Sequence, residues 1–180
     1  MSKLAIEINR HSEGGLSTVL EGAVAIFCGS IIAAGSLSPS MASVAEVVRA
    51  ESCEFEAEDL SLLVSGSRDK FLDRRTTKDV YTPDAFEILE NLARALSKRG
   101  GRIAAVIAYL TICDQLKNGG TGFVVALDST QYAKKVVYRE AMDKEFETLA
   151  QGRARLELLQ SVNQVSVPNC GGLYTLHDFL

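Results

Sequence analysis

The sequence predicts an α/β fold with an unusually large share of helix. Apolar residues recur with helical spacing in four stretches, and the apolar run 123–127 predicts a short buried strand. A second apolar run, residues 162–167, predicts another strand. Alternating strands and helices are typical of an α/β layer. The chain has 180 residues, 47% of them hydrophobic, and we expect residues 1–180 to form a single domain.

Residues 16–37 predict the first helix, and this stretch carries Glu21 as its one charged side chain. Its length would allow it to cross a bilayer, so a membrane-associated helical protein is one alternative. Several glycines interrupt it, however, and no clusters of Lys or Arg flank it. We therefore expect a buried core helix that ends at Gly35 and Pro39.

The middle of the chain predicts short elements. Residues 41–48 and 60–64 have the spacing of two short amphipathic helices, joined by the acidic run 51–56 as a solvated connection. Residues 68–78 form the most polar stretch, with two apolar anchors, and predict a surface turn with half a helix.

A long helix is predicted to begin at Thr82-Pro83-Asp84. Thr caps free N–H groups, Pro suits the first helical position, and Asp favours the positive end of the helix. The apolar spacing continues over residues 86–116, and the glycine pair at 100–101 should bend or divide the helix.

The polar turn Asp128-Ser129-Thr130 leaves the predicted strand and opens a helix predicted over residues 132–150. Such a turn presents backbone N–H groups and short hydroxyls together, which is where phosphate groups bind. Asp128 can also cap the helix, with Gln131 returning a capping-box-like interaction. The two roles are compatible, and the local sequence leaves both open.

Gly171-Gly172 is a second candidate for ligand binding, because glycine lets the backbone approach a ligand closely. A simple turn explains the same two residues. The sequence contains no Walker-type loop, no Gly-x-Ser-x-Gly motif and no Cys-x-x-Cys pair, and it predicts no catalytic residue by itself.

Charge and cysteine usage exclude several classes of function. The net charge of −4 is spread along the chain without a basic patch, so we expect no nucleic-acid partner. The two histidines are far apart, and we expect no metal site made by the protein alone. The cysteines are widely spaced, which favours free thiols in a reducing compartment; they are Cys28, Cys53, Cys113 and Cys170. With no signal-peptide pattern at the N-terminus, the predicted location is cytoplasmic.

The second half of the chain resembles the hexokinase family. The arginine- and alanine-rich segment 99–108, followed by the segment 124–132 with its Asp128-Ser129-Thr130 turn, is similar to that family's helix and Asp-Gly-Ser-x-Tyr turn. The resemblance covers residues 83–172 and, more faintly, residues 14–63. Two positions depart from the family pattern, since Ser129 replaces a glycine and Gly100 replaces an alanine.

This resemblance implies the C-terminal portion of a hexokinase large domain, a helix-rich part of an actin-like ATPase fold. It implies transfer of the ATP γ-phosphate to a hexose 6-hydroxyl, with Mg²⁺ on the phosphates and an aspartate as the base. Asp128, Ser129 and Thr130 would lie near the phosphates, and Gly171-Gly172 near the base or ribose. The family's catalytic aspartate and sugar loops precede the matching region, so we expect the chain alone to be inactive. Supply of these parts by a complementary chain is an alternative that the sequence leaves open. A non-catalytic α/β binding domain of the same fold is the alternative.

Overall fold

The computed structural model describes residues 23–50, 55–158 and 173–177, and of residues 128, 130 and 173–177 it describes the backbone. The helices are α1 (residues 23–35), α2 (Pro39–Ala50), α3 (Ala57–Val64), α4 (Arg68–Asp73), α5 (Pro83–Leu110), α6 (Cys113–Lys117), α7 (Thr130–Lys134) and α8 (Val136–Ala150). The strands are β1 (Phe123–Asp128), β2 (Ala154–Leu158) and β3 (Leu173–His177). The predicted helix-rich α/β class is confirmed. The chain divides into two compact units, one formed by residues 17–97 and one that includes residues 98–180; the single-domain organisation stays a prediction.

Aromatic side chains form the centre of the unit at residues 17–97. Phe71 is fully buried and contacts the rings of Phe55, Tyr81 and Phe86 at centroid distances of 5.9, 5.3 and 5.7 Å. Phe27 of α1 meets the ring of Phe55 edge-on at 5.2 Å. Edge-to-face and tilted ring pairs add to the stabilisation that burial already provides.

A buried carboxylate joins α3 to the segment after α4. Asp59 is fully buried and accepts hydrogen bonds from the Glu56 backbone N–H at 2.7 Å and from the Arg74 Nε at 2.9 Å. The Arg75 guanidinium lies 2.6 Å from the second carboxylate oxygen. Because each oxygen has a positively charged partner, the charge of Asp59 is compensated inside the core.

The N-terminal signal of α5 is confirmed. The helix begins at Pro83, and the Thr82 hydroxyl accepts a hydrogen bond from the Ala85 backbone N–H at 3.2 Å. The helix continues through the glycine pair at 100–101, so it is not divided there. It ends at Leu110, and the predicted helical spacing up to residue 116 belongs to the separate helix α6.

Close packing against α8 explains why position 101 of this helix is a glycine. A Cβ at Gly101 would overlap the backbone carbonyl oxygen of Tyr138 and lie 3.1 Å from both the Ala141 Cβ and the Met142 backbone nitrogen. The missing side chain therefore lets α5 and α8 approach closely at this point.

The three strands form one parallel sheet in the order β2-β1-β3. β1 is the central strand, and Phe123, Val125 and Leu127 join the core of the unit at residues 98–180. The predicted strand at 123–127 is confirmed and extends to Asp128. β2 and β3 were not predicted. The predicted strand at 162–167 lies outside the described residues, as do residues 16–22 of the predicted first helix and most of the acidic connection.

Other predicted elements have shifted boundaries. α1 ends at residue 35 as expected, and Pro39 takes the first position of α2. α2 and α3 extend beyond the predicted stretches 41–48 and 60–64, and α4 is a helix of 6 residues within the stretch predicted as a surface turn and half-helix. The helix predicted over 132–150 is interrupted at Lys135, whose backbone is extended with φ −104° and ψ 95°.

The cysteine prediction is wrong for Cys28, which is disulfide-bonded, and right for Cys113, which is free. Disulfides are typical of oxidising compartments, so the cysteines do not indicate a reducing one. None of the helices in the described part of the chain has the length and apolar character needed to cross a bilayer.

Candidate functional site

In the turn after β1, a single residue separates the end of the strand from the start of helix α7. Asp128 is the last residue of β1, and Thr130 is the first residue of α7. Between them, Ser129 has extended backbone angles, φ −140° and ψ 113°, and its Oγ accepts a hydrogen bond from the Tyr132 backbone N–H at 3.1 Å. Ser129 is therefore the helix cap.

The structure corrects the predicted helix cap at Asp128. Asp128 was a candidate cap with Gln131 as its counterpart, but the capping oxygen belongs to Ser129. The physical reason is that β1 extends through Asp128 and pairs with β3 there, so the non-helical position that precedes the helix falls one residue later. The backbone of Asp128 is held by the sheet and not by the helix.

The parallel sheet brings three strand ends to one edge. Asp128 pairs in register with His177 of β3, and Leu127 pairs with Leu158 of β2. In a parallel sheet the carboxyl ends of neighbouring strands lie at the same edge. The sequence analysis did not connect His177 with Asp128. No local pattern predicts this pairing, because Asp128 and His177 lie 49 residues apart in the sequence.

The first helical turn after Ser129 is anchored to α8. The Tyr132 side chain is 6% exposed, and its hydroxyl donates a hydrogen bond to the Asp143 Oδ1 at 2.5 Å. Burial, together with this hydrogen bond and the charge of Asp143, raises the pKa of Tyr132 well above its ordinary value. The phenol is therefore a fixed neutral donor that holds α7 against α8.

Two lysines end the short helix that follows the turn. Lys134 is exposed, and Lys135 is half-buried where the chain becomes extended between α7 and α8. Burial lowers the pKa of Lys135. Lys134 and Lys135 follow Ser129 by 5 and 6 residues, so the segment carries positive charge at the far end of α7.

Of the residues predicted for the site, Asp128, Ser129 and Thr130 are consecutive in the chain and lie where β1 ends and α7 begins. Gly171 and Gly172 lie outside the described residues. Within the described side chains, no group of three His, Cys, Asp or Glu could hold a metal ion.

Comparisons with family models, curated proteins and solved structures found no match to this chain. The resemblance to hexokinases therefore depends on the sequence of residues 83–172 alone.

Proposed function

We propose that this chain forms the nucleotide side of a hexokinase-type phosphotransferase and binds the ATP phosphates at the carboxyl end of β1. One observation carries the proposal: Asp128 ends the central strand of a parallel sheet, and a hydroxyl-bearing turn follows at once. In open α/β sheets, ligands bind outside the carboxyl ends of the strands. The actin-like ATPase fold belongs to the same proposal and is supported by the resemblance over residues 83–172.

The groups at this edge suit a nucleotide phosphate. The Ser129 Oγ accepts from the Tyr132 N–H, and a hydroxyl that accepts one hydrogen bond still has its own proton to donate to a phosphate oxygen. Thr130 adds a second hydroxyl by its position, and Lys134 and Lys135 add positive charge. Phosphate binding needs donors and positive charge together, which this segment provides within eight residues of chain.

Mg²⁺ enters this proposal with the nucleotide. In kinase sites Mg²⁺ is held by one or two carboxylates and by the phosphates themselves. In this proposal the Asp128 carboxylate would hold a Mg²⁺ that arrives bound to ATP, and the ion would neutralise phosphate charge. Without Mg²⁺ the Asp128 carboxylate would repel the phosphates, so we assign Mg²⁺ and ATP to one complex.

The proposed reaction is transfer of the γ-phosphate to the 6-hydroxyl of a hexose. A complementary chain would supply the sugar-binding loops and the aspartate that acts as the catalytic base. The described residues contribute to the nucleotide side alone. A compartment that contains ATP is implied, and the cytoplasmic location is retained on that ground. Gly171-Gly172 remains the candidate contact for the adenine base or the ribose of ATP.

The affinity of the chain for ATP should be low, because ordering and desolvation costs are offset by part of the usual contacts. A dissociation constant of about 1 mM, or about −4 kcal/mol, is expected. Titration with Mg²⁺-ATP, followed by amide chemical shifts, should give changes centred on residues 128–132.

Two threonine variants make this test specific. Thr130→Val should abolish the shifts, whereas Thr148→Val on the exposed side of α8, where the hydroxyl donates to the Lys144 carbonyl, should leave them unchanged. An absence of shifts at about 10 mM ATP would leave Ser129 as a helix cap without a ligand and would refute the proposed function.

A further inference from the structure

Helix α5 carries an exposed apolar stripe along its C-terminal half. Its members are Ile103, Val106 and Leu110, which are 42%, 41% and 61% exposed. Their spacing of three and four residues keeps them within about 60° of one another around the helix axis, because an α-helix turns about 100° per residue. Ala104 and Ala108, on the other side of the helix, are buried in the core. The stripe therefore faces away from the core of its own unit.

A stripe of this kind suits burial against a second helix. Spacings of three and four residues are those of a coiled-coil seam, in which apolar side chains pack between those of a partner helix. Single exposed apolar residues are ordinary on a protein surface, whereas three in one line form a contiguous patch that marks an interaction site.

The charges at the two ends of the stripe fit a second copy of the same chain. Arg99 lies four residues before Ile103, and its side chain is exposed. Asp114 lies four residues after Leu110, and its side chain is 83% exposed. If two copies run antiparallel with Ile103 opposite Leu110, the next positions outward place Arg99 of each copy opposite Asp114 of the other. A parallel pair would place each charge opposite its own copy, where like charges repel.

We propose that the α5 stripe is the interface of a homodimer, in which two copies of this chain pack antiparallel through Ile103, Val106 and Leu110. Such an interface is closed, because the same patch of one chain contacts the same patch of the other. Three apolar side chains from each chain make a small interface, so we expect a dimer that dissociates in the micromolar range. This dimer does not depend on the proposed nucleotide site.

Sedimentation velocity of the full chain, from about 1 µM to about 1 mM, should show a monomer that converts to a dimer as the concentration rises. Ile103→Glu should raise the dissociation constant at least about tenfold, because it buries a carboxylate of each copy in the apolar seam. Ile26→Glu is the matched control, since Ile26 of α1 is 43% exposed and lies on another helix. It should leave the dissociation constant unchanged.

Exchange of the terminal charges tests the antiparallel arrangement. Arg99→Asp and Asp114→Arg should each weaken the dimer about three- to tenfold, because like charges then face each other across the interface. The double variant should recover the original dissociation constant. A mixture of the two single variants should form a heterodimer, since opposite charges again meet at both ends.

A chain that stays monomeric at about 1 mM overturns the proposed dimer. In that case, a loss of stability in Ile103→Glu but not in Ile26→Glu would show that another segment of the same chain covers the stripe. Unchanged stability would assign the stripe to a different protein.

A dimer that neither Ile103→Glu nor the single charge variants weaken would also overturn the assignment, because the chain would then dimerise through another surface. A double charge variant that dimerises no better than the single variants would contradict the antiparallel arrangement. The charge variants lie at exposed positions, so they decide the outcome even if Ile103→Glu does not fold.

Discussion

At the scale of single residues, the described part of the chain buries two charged side chains, Asp59 and Arg75. Arg75 is 8% exposed, and its guanidinium carbon lies over the rings of Phe55 and Phe71 at 4.4 and 4.6 Å. Asp59, which is fully buried, supplies a carboxylate oxygen 2.6 Å from it. A charge in such a place is stable while its partner remains, so the pair acts as one unit.

Asp59→Ala should lower the free energy of unfolding by about 3 to 5 kcal/mol, because it leaves the buried Arg75 without its carboxylate. Urea denaturation followed by circular dichroism measures this. Asp73→Ala is the matched control, since Asp73 is 78% exposed and lies 3.4 Å from the Lys78 Nζ. Its loss should cost about 0 to 1 kcal/mol. Equal effects of the two substitutions would contradict the assigned role of Asp59.

Tyr132→Phe should cost about 1 kcal/mol at neutral pH, through loss of the hydrogen bond to Asp143. Because the pKa of Tyr132 is raised in the folded chain, its contribution is complete below the pKa of the unfolded phenol, about 10, and is lost as pH rises above that value. In urea titrations, the stability difference between the unchanged chain and Tyr132→Phe should therefore stay constant from about pH 7.5 to about pH 9.5 and shrink as pH rises beyond about 10.

A double-mutant cycle is the control for this contact. Tyr132→Phe combined with Asp143→Ala should cost less than the sum of the two single substitutions, with a coupling energy of about 1 kcal/mol. A difference that grows at alkaline pH, or strictly additive costs, would show that the hydrogen bond is not what stabilises the pair.

At the scale of elements, the contact between α5 and α8 depends on the absence of one side chain. The Gly101 position faces the Tyr138 carbonyl and the Ala141 Cβ, whereas a Cβ at Gly100 would lie 3.5 Å from the Tyr138 ring, an ordinary contact distance. Adjacent glycines in the same helix thus have opposite steric surroundings.

Gly101→Ala should destabilise the chain by about 1 to 3 kcal/mol, because α5 and α8 must separate to accept the methyl group. Gly100→Ala should stabilise it by about 0.5 to 1 kcal/mol, since alanine favours helix and this site has room. Both values come from urea unfolding curves. A stabilising effect at Gly101 would mean that the two helices are packed less closely than described.

At the scale of the whole molecule, the proposed function implies an incomplete catalyst. Proton abstraction and sugar orientation need groups that the nucleotide side does not provide. The purified chain should therefore not phosphorylate glucose, as measured by ADP release with an active hexokinase as the positive control. Turnover that disappears in Thr130→Val would contradict this expectation, because the activity would then belong to this chain.

The sequence alone predicted those elements whose signals are local. The apolar run of β1, the Thr82 cap of α5 and the end of α1 at residue 35 all depend on neighbouring residues, and each is confirmed. Asp128, Ser129 and Thr130 were identified as the candidate turn for the same reason, since a buried strand followed by short polar residues has few other structures.

Tertiary structure decided the rest, because strand pairing and close packing join residues that are distant in the sequence. β2 and β3 are short, and β2 carries the charged Arg155 and Glu157, so pairing with β1 defines them more than local propensity does. The same pairing explains why the helix cap is Ser129 and not Asp128, and it places His177 opposite Asp128. The contact of Gly101 with α8, and the buried pair of Asp59 and Arg75, likewise follow from packing that no local pattern encodes.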